Sequence, residues 1–180
     1  MNKQFRIAQK TGLMFRDDEI LPEDMNAWIQ SQLQAASPAL GLASSYADVA
    51  PWPDGLQPDL SRRAAMWRRY RDLEKQAREE KNGQETQAAR QANRHENLTA
   101  KLDEHKFVQR NVYGADQVKL RFTAFWANHF TIGNTFDTGQ MIGHAIDEGI
   151  LAKFNGSFAD LLYGITTHPG MLTYLDNVWS

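Results

Sequence analysis

No cysteine is present, so the search for a reactive centre in this chain starts from its imidazole, carboxylate and amide groups. Thiolate nucleophiles, thiolate metal sites and disulfides are excluded on that ground alone. The histidines are His95, His105, His129, His144 and His168. No two of them stand three or four residues apart, so no single helix presents a pair to one metal ion. His95 and His105 fall in a highly charged stretch and read as solvated. His129 differs, because it lies in the run Phe-Thr-Ala-Phe-Trp-Ala-Asn-His-Phe of residues 122–130. That run concentrates aromatic rings, an amide and an imidazole on one expected helix.

Val118, Phe122, Phe125, Trp126 and His129 recur at i, i+4, i+7, i+8 and i+11, which places them on one helical face. The expectation is a buried His129 on an apolar stripe, a setting in which histidine is more often a satisfied core residue than a base. Asn128 lies about 100° away and shares a site with His129 only over the helix end. There the helix dipole favours the imidazolium, whereas burial favours the neutral ring. His168 precedes Pro169 at a helix junction, where helix capping is its plain role. Asp176 follows the last short helix and could turn back. If these groups converge, His129, Asn128, His168 and Asp176 form an acid–base centre, or His129, His168 and Asp176 hold a divalent metal ion. Nothing in the sequence requires a cofactor. Gly-rich phosphate loops, His-Glu-x-x-His zinc helices, EF-hand loops and Gly-x-Ser-x-Gly elbows are all missing.

A second chemistry is suggested by Arg62, Arg63, Arg68, Arg69 and Arg71, interleaved with Trp67 and Tyr70, a pattern found in nucleic-acid binders. Asp72, Glu74, Glu79 and Glu80 follow within helical reach. Residues 61–106 hold twelve Lys and Arg against eight Asp and Glu, while the whole chain carries a net charge of −2. Phosphate binding needs a stronger positive excess than this. A solvated helix face is the favoured reading, and nucleic acid is disfavoured as a partner.

These groups must be positioned by helices, since no segment has a strand-like alternation. The expected fold is all-α, a multi-helix orthogonal bundle in one domain spanning residues 1–180. A chain of 180 residues can bury about 70% of its unfolded surface. Short helices are expected over 3–11 and 22–35, the second with Pro22 in its first turn and Met25, Trp28, Ile29 and Leu33 inward. Residues 36–58 form a Pro/Gly-rich loop, with Trp52 between two prolines. Residues 59–110 form a long charged helical hairpin or arm, broken at Asn82-Gly83, with Met66, Tyr70, Leu73 and Ala77 as its main stripe. Core helices occupy 115–177. Asp137 and Gln140 have capping-box spacing for a helix facing inward through Ile142, Ile146, Ile150 and Phe154. Asn155-Gly156 is expected as a left-handed stop. Ser157 and Asp160 cap a helix facing inward through Phe158, Leu161, Leu162 and Ile165. A final short helix follows Pro169. No apolar leader and no run of ~20 apolar residues is present, so the chain as written is expected to be soluble and cytoplasmic.

Phe125-Trp126-Ala127-Asn128-His129-Phe130-Thr131, followed by the stretch from His168-Pro169-Gly170 to Leu175-Asp176-Asn177, resembles the bacterial domain-of-unknown-function 1800 family. Gly156-Ser157-Phe158-Ala159-Asp160-Leu161-Leu162 fits that family's glycine, phenylalanine and leucine pair. Ala8 to Leu13 and Trp28 to Leu33 resemble its start. The resemblance implies a predominantly helical fold, longer chains than this one, and frequent export, so a periplasmic location follows if an upstream segment is missing. The sequence departs from the family pattern in two places. It stops at Ser180, where the family continues into an Asn-Glu-Asn and Ala-Arg-Glu-rich motif. It also has Leu151 to Asn155 where the family tends to place Arg-Pro-His. Both departures weaken the expectation of an enzyme acting alone, since a later segment would have to supply carboxylates opposite His129. The first expectation is therefore a helical structural or interaction module, the N-terminal part of a larger helical protein. Its apolar surface would be completed by a partner chain or by self-association.

Overall fold

The computed structural model describes residues 3–12, 20, 22–34, 59–79, 87–114, 116–135 and 137–179, and among these there are helices and no strands. The loop of residues 36–58 with Trp52, and the Asn82-Gly83 break, lie outside the described residues. Eight α-helices follow in order: α1 (Lys3–Thr11), α2 (Met25–Gln34), α3 (Leu60–Glu79), α4 (Gln87–Tyr113), α5 (Gln117–His129), α6 (Gly139–His144), α7 (Phe158–Thr166) and α8 (Pro169–Tyr174). Between α6 and α7 the chain widens into a π-helical segment, Ala145–Ile150, and tightens into a 3-10 turn, Leu151–Lys153. A further 3-10 turn, Asn177–Trp179, follows α8.

Short side chains at the helix starts explain several of these boundaries. The Asp24 carboxylate accepts from the backbone N–H groups of Asn26 and Ala27, at 2.9 and 3.1 Å. That cap starts α2 at Met25 and leaves Pro22 outside the first turn. Asp59 does the same for α3, accepting from the Arg62 N–H at 2.7 Å. Ser157 and Asp160 form the expected reciprocal capping box at the start of α7.

The box expected at Asp137 and Gln140 does not form. Thr138 occupies the N-cap position of α6 without a side-chain cap bond, and its hydroxyl donates to the Gly133 carbonyl. Asp137 is recruited elsewhere, accepting from the Trp67 indole N–H at 3.2 Å and pairing with Arg71 at 3.5 Å. The stop at Asn155-Gly156 is not left-handed either. The turn is closed by the Gly156 N–H to the Lys153 carbonyl at 2.9 Å, and Asp176, at φ 55°, is the one described non-glycine residue with positive φ.

α3 and α4 form the charged pair, and α4 lies against α6. The buried face of α4 is mostly polar: Thr99, Asp103 and Arg110 accompany Ala89. This explains why its apolar stripe is so thin. The apolar core lies at the other side of α6 and comprises Ile132, Ala145, Ile150, Leu161, Ile165 and Met171, with Trp126, Ala127, Phe130 and Ile142 against it. The π-helical segment meets α7 through two glycines. A Cβ on Gly164 would come within 3.2 Å of the Gly149 carbonyl oxygen, and one on Gly149 within 3.3 Å of the Gly164 carbonyl.

Candidate functional site

The expectation of a buried His129 is overturned: His129 is exposed at the last turn of α5. The aromatic residues 122, 125, 126, 129 and 130 span about 140° of the helix circumference, too wide an arc for one core contact. Trp126 and Phe130 turn into the core, while Phe122 and Phe125 are 48% and 59% exposed. The buried side chains of α5 are Gln117, Val118, Lys119, Leu120 and Thr123. His129 is flanked by rings, stacked beside Phe125 at 6.3 Å between centroids and edge-on to Trp126 and Phe130 at 5.5 and 4.9 Å.

The other candidates do not gather around it. Asn128 is exposed, and its backbone carbonyl accepts from the Thr131 hydroxyl at 2.6 Å. His168 is the N-cap of α8, while Asp176 lies beyond the other end of that helix, about 12 Å along the axis by helical rise. Its left-handed backbone closes α8, a conformation that Asp tolerates better than most residues. Among the described residues, no three His, Asp or Glu side chains come together to hold a metal ion.

The partner of His168 is His144, which spacing within one helix could not reveal. The His144 Nδ1 and His168 Nε2 atoms are 3.0 Å apart. The Gly170 backbone N–H donates to His168 Nδ1, also at 3.0 Å. Because Nδ1 accepts, a neutral His168 must carry its proton on Nε2 and donate it to His144 Nδ1. His144 in turn carries its own proton on Nε2. Both nitrogens of His168 are thus engaged while this network is intact, and a metal ion or a proton reaches Nδ1 only by displacing the Gly170 N–H. In this state His144 offers a substrate a hydrogen-bond donor and not a base.

The pair sits beside a buried ion pair. Arg63 on α3 grips Asp103 on α4 through both terminal guanidinium nitrogens, at 2.5 and 3.0 Å, and also donates to the Gln140 carbonyl of α6 at 2.6 Å. Arg63 is fully buried and Asp103 nearly so. Gly143 makes this approach feasible, since a Cβ there would land on the Asp103 side chain. Burial, the neighbouring His144 and Arg63 push the His168 pKa down to about 4. Burial and Arg63 also lower His144, against the opposing charges of Glu148, Asp147 and Asp103. The sequence places Arg63 only in the basic cluster, gives His144 no role and does not single out Asp103. The one local hint was Gln140 and His144 at i and i+4 on the same face of α6.

The arginine cluster on α3 is divided by these contacts. Arg63 faces inward, and Arg71 pairs with Asp137 and stands 5.9 Å over the Trp67 ring. Arg62, Arg68 and Arg69 remain exposed. The aromatic surface of α5 is extended by α7 and the preceding turn. Trp126 packs on Phe158 at 5.4 Å and Phe122 meets Phe154 edge-on at 5.8 Å. Phe158 is itself 57% exposed, and Leu162, one turn on, is exposed as well. No described helix is long and apolar enough to cross a membrane.

The chain matches no curated protein and no solved structure. A family model does match, over residues 8–180, and its description is Protein of unknown function (DUF1800). That span takes in α5 with its aromatic run, the histidine pair and the ion pair beneath it, so the chain belongs to the DUF1800 family.

Proposed function

We propose that this domain is a helical interaction module that receives an apolar helical segment of a partner chain on the aromatic face of α5 and α7. The observation that carries this reading is a set of rings each about half exposed: Phe125 and Phe158 packed on the more buried Trp126, and Phe122 one turn before Trp126, paired with Phe154. Exposed apolar patches of this kind mark interaction surfaces more often than they mark ordinary solvent-facing surface. Aromatic residues are also the side chains enriched at interface centres. Helical ridges spaced at i and i+4 suit a partner helix lying in the groove between them.

The charges bordering the face are already engaged. The Arg121 guanidinium donates to the Gly12 carbonyl at 3.0 Å, and the Lys119 ammonium lies 5.6 Å over the Phe154 ring. The face therefore selects for apolar contact more than for charge. In a family whose resemblance implies longer chains, such a face suits a domain that docks onto further helices.

The test uses the purified chain, a hydrophobe-sensitive dye, and a labelled amphipathic peptide with Leu and Phe at i, i+3, i+4 and i+7. Saturable peptide binding is expected, lost in the double variant Phe125→Ser, Phe158→Ser while its thermal midpoint holds. A concentration-dependent mass by light scattering would identify the occupant as a second copy. A clean monomer that binds neither dye nor peptide would sink the reading.

A further inference from the structure

We propose that His144 and His168 form an acid-released latch that holds α8 against α6 while both rings are neutral and lets it go when either is protonated. The geometry dictates this by hydrogen-bond polarity. The chain of donors runs from the Gly170 N–H to His168 Nδ1, then from His168 Nε2–H to His144 Nδ1. Each acceptor nitrogen is the only basic atom on its ring. A proton on His168 Nδ1 faces the Gly170 N–H and removes the α8 cap. A proton on His144 Nδ1 faces the His168 Nε2–H and breaks the link between helices. Neither imidazolium can be accommodated by a change of tautomer, because an imidazolium has no acceptor.

The surrounding charges decide the direction. Arg63, from α3, acts on both rings and opposes a second positive charge. Asp103, from α4, favours protonation of His144 but is held bidentately by Arg63. Asp147 and Glu148, from the π-helical segment, pull the same way. Asp147 is paired with Lys106, and Glu148 is exposed. The Asp160 carboxylate of α7, which also packs on α8, is engaged with Ser157 in its capping box. Asp176 is exposed beyond the far end of α8. Burial and Arg63 therefore prevail, and the neutral pair is the folded form. What the latch holds is Met171, which α8 inserts into the apolar core beside Ile165 and Ala145. Releasing α8 withdraws that side chain and bares the core at its edge.

The experiment follows the full chain by ring 15N–1H correlation and amide exchange between pH 7.5 and 4. At neutral pH both rings should show the Nε2–H tautomer. On acidification, exchange of the Gly170, Met171 and Leu172 amides, corrected for intrinsic rates, should speed up by about tenfold or more while Leu161 and Ile165 hold, the mark of local opening. His168→Asn retains a cap acceptor that does not titrate, and it should flatten the acid response of α8. If that variant does not fold, the tautomers and exchange of the unsubstituted chain decide alone. An Nδ1-protonated His168 at neutral pH, or α8 amides that open no faster than those of α7 on acidification, would overturn the latch.

Discussion

The two histidine sites of this domain invert the usual arrangement of polar and apolar groups. Beside His129 the Phe125 ring faces solvent, as Phe122 and Phe158 do farther along the same aromatic surface, and no described polar side chain meets the imidazole. Around His168 the charges of Arg63 and Asp103 are buried, and each ring proton has an assigned place. A histidine among exposed aromatics can be replaced with little consequence for the fold. A histidine among buried charges is tied to it. Half-exposed aromatics cost the fold little, whereas a buried charge is tolerated only with its partner in place.

The strongest way to break the comparison is at the ion pair. Asp103→Ala leaves the Arg63 guanidinium buried and without its bidentate carboxylate, a change that destabilises folds by about 3–5 kcal/mol. Chemical denaturation is expected to show that loss or an unfolded chain. A midpoint close to that of the parent protein would mean that water reaches Arg63 and that the buried site is less closed than its geometry indicates. The substitution should leave dye binding at the aromatic face unchanged in any fraction that folds.

Acid provides the second test. His168, at about 4 in the fold against about 6.5 unfolded, binds fewer protons folded than unfolded. Its contribution to stability is therefore complete above pH 6.5, and it declines as pH falls from there towards 4. The loss should be on the order of 3 kcal/mol over that window. Thermal midpoints taken from pH 7 to 4 should fall for the parent chain and stay flatter for His168→Asn. If both slopes coincide, the acid sensitivity belongs to carboxylates elsewhere.

How much of this was legible in the sequence follows from the range of each interaction. The Ser157–Asp160 box and the cap at His168 act within one turn, and residue type with spacing reveals them. The His144–His168 contact joins residues 24 apart and the Arg63–Asp103 pair joins residues 40 apart. Neither has a period to betray it. Arg63 read as one more solvated cation because its burial depends on Gly143, forty positions beyond Asp103, having no side chain. The α5 stripe was misjudged for a different reason. Its aromatic set is real, but a core contact takes only part of a 140° arc, and periodicity does not say which part. Asp137 shows the same limit at short range, since Trp67 and Arg71 outcompete the cap its spacing suggests.

A milder substitution compares the two histidines directly. His168→Ala removes the cap acceptor of α8 and should cost about 1 kcal/mol, the usual cost of a lost N-cap. His129→Ala removes an exposed ring and should stay within about 0.5 kcal/mol, as surface changes do. Urea titrations of both variants at pH 7.5 would measure the gap. Equal costs would place His129 in a packing role that its exposure does not suggest.

The smallest expected effect on stability is the most informative about function. Phe125 is the most exposed ring of the aromatic row, so Phe125→Ser removes little that the isolated fold uses. Its unfolding midpoint should move by no more than about 0.5 kcal/mol, in contrast with the several expected for Asp103→Ala. Peptide binding should nevertheless weaken by roughly tenfold, the effect of losing an aromatic near the centre of an interface. That separation of stability from binding is what distinguishes a surface kept for a partner from a core that happens to be incomplete. Were Phe125→Ser to destabilise the chain as much as a core substitution, the aromatic row would be packing material, and the two histidine sites would differ only in polarity.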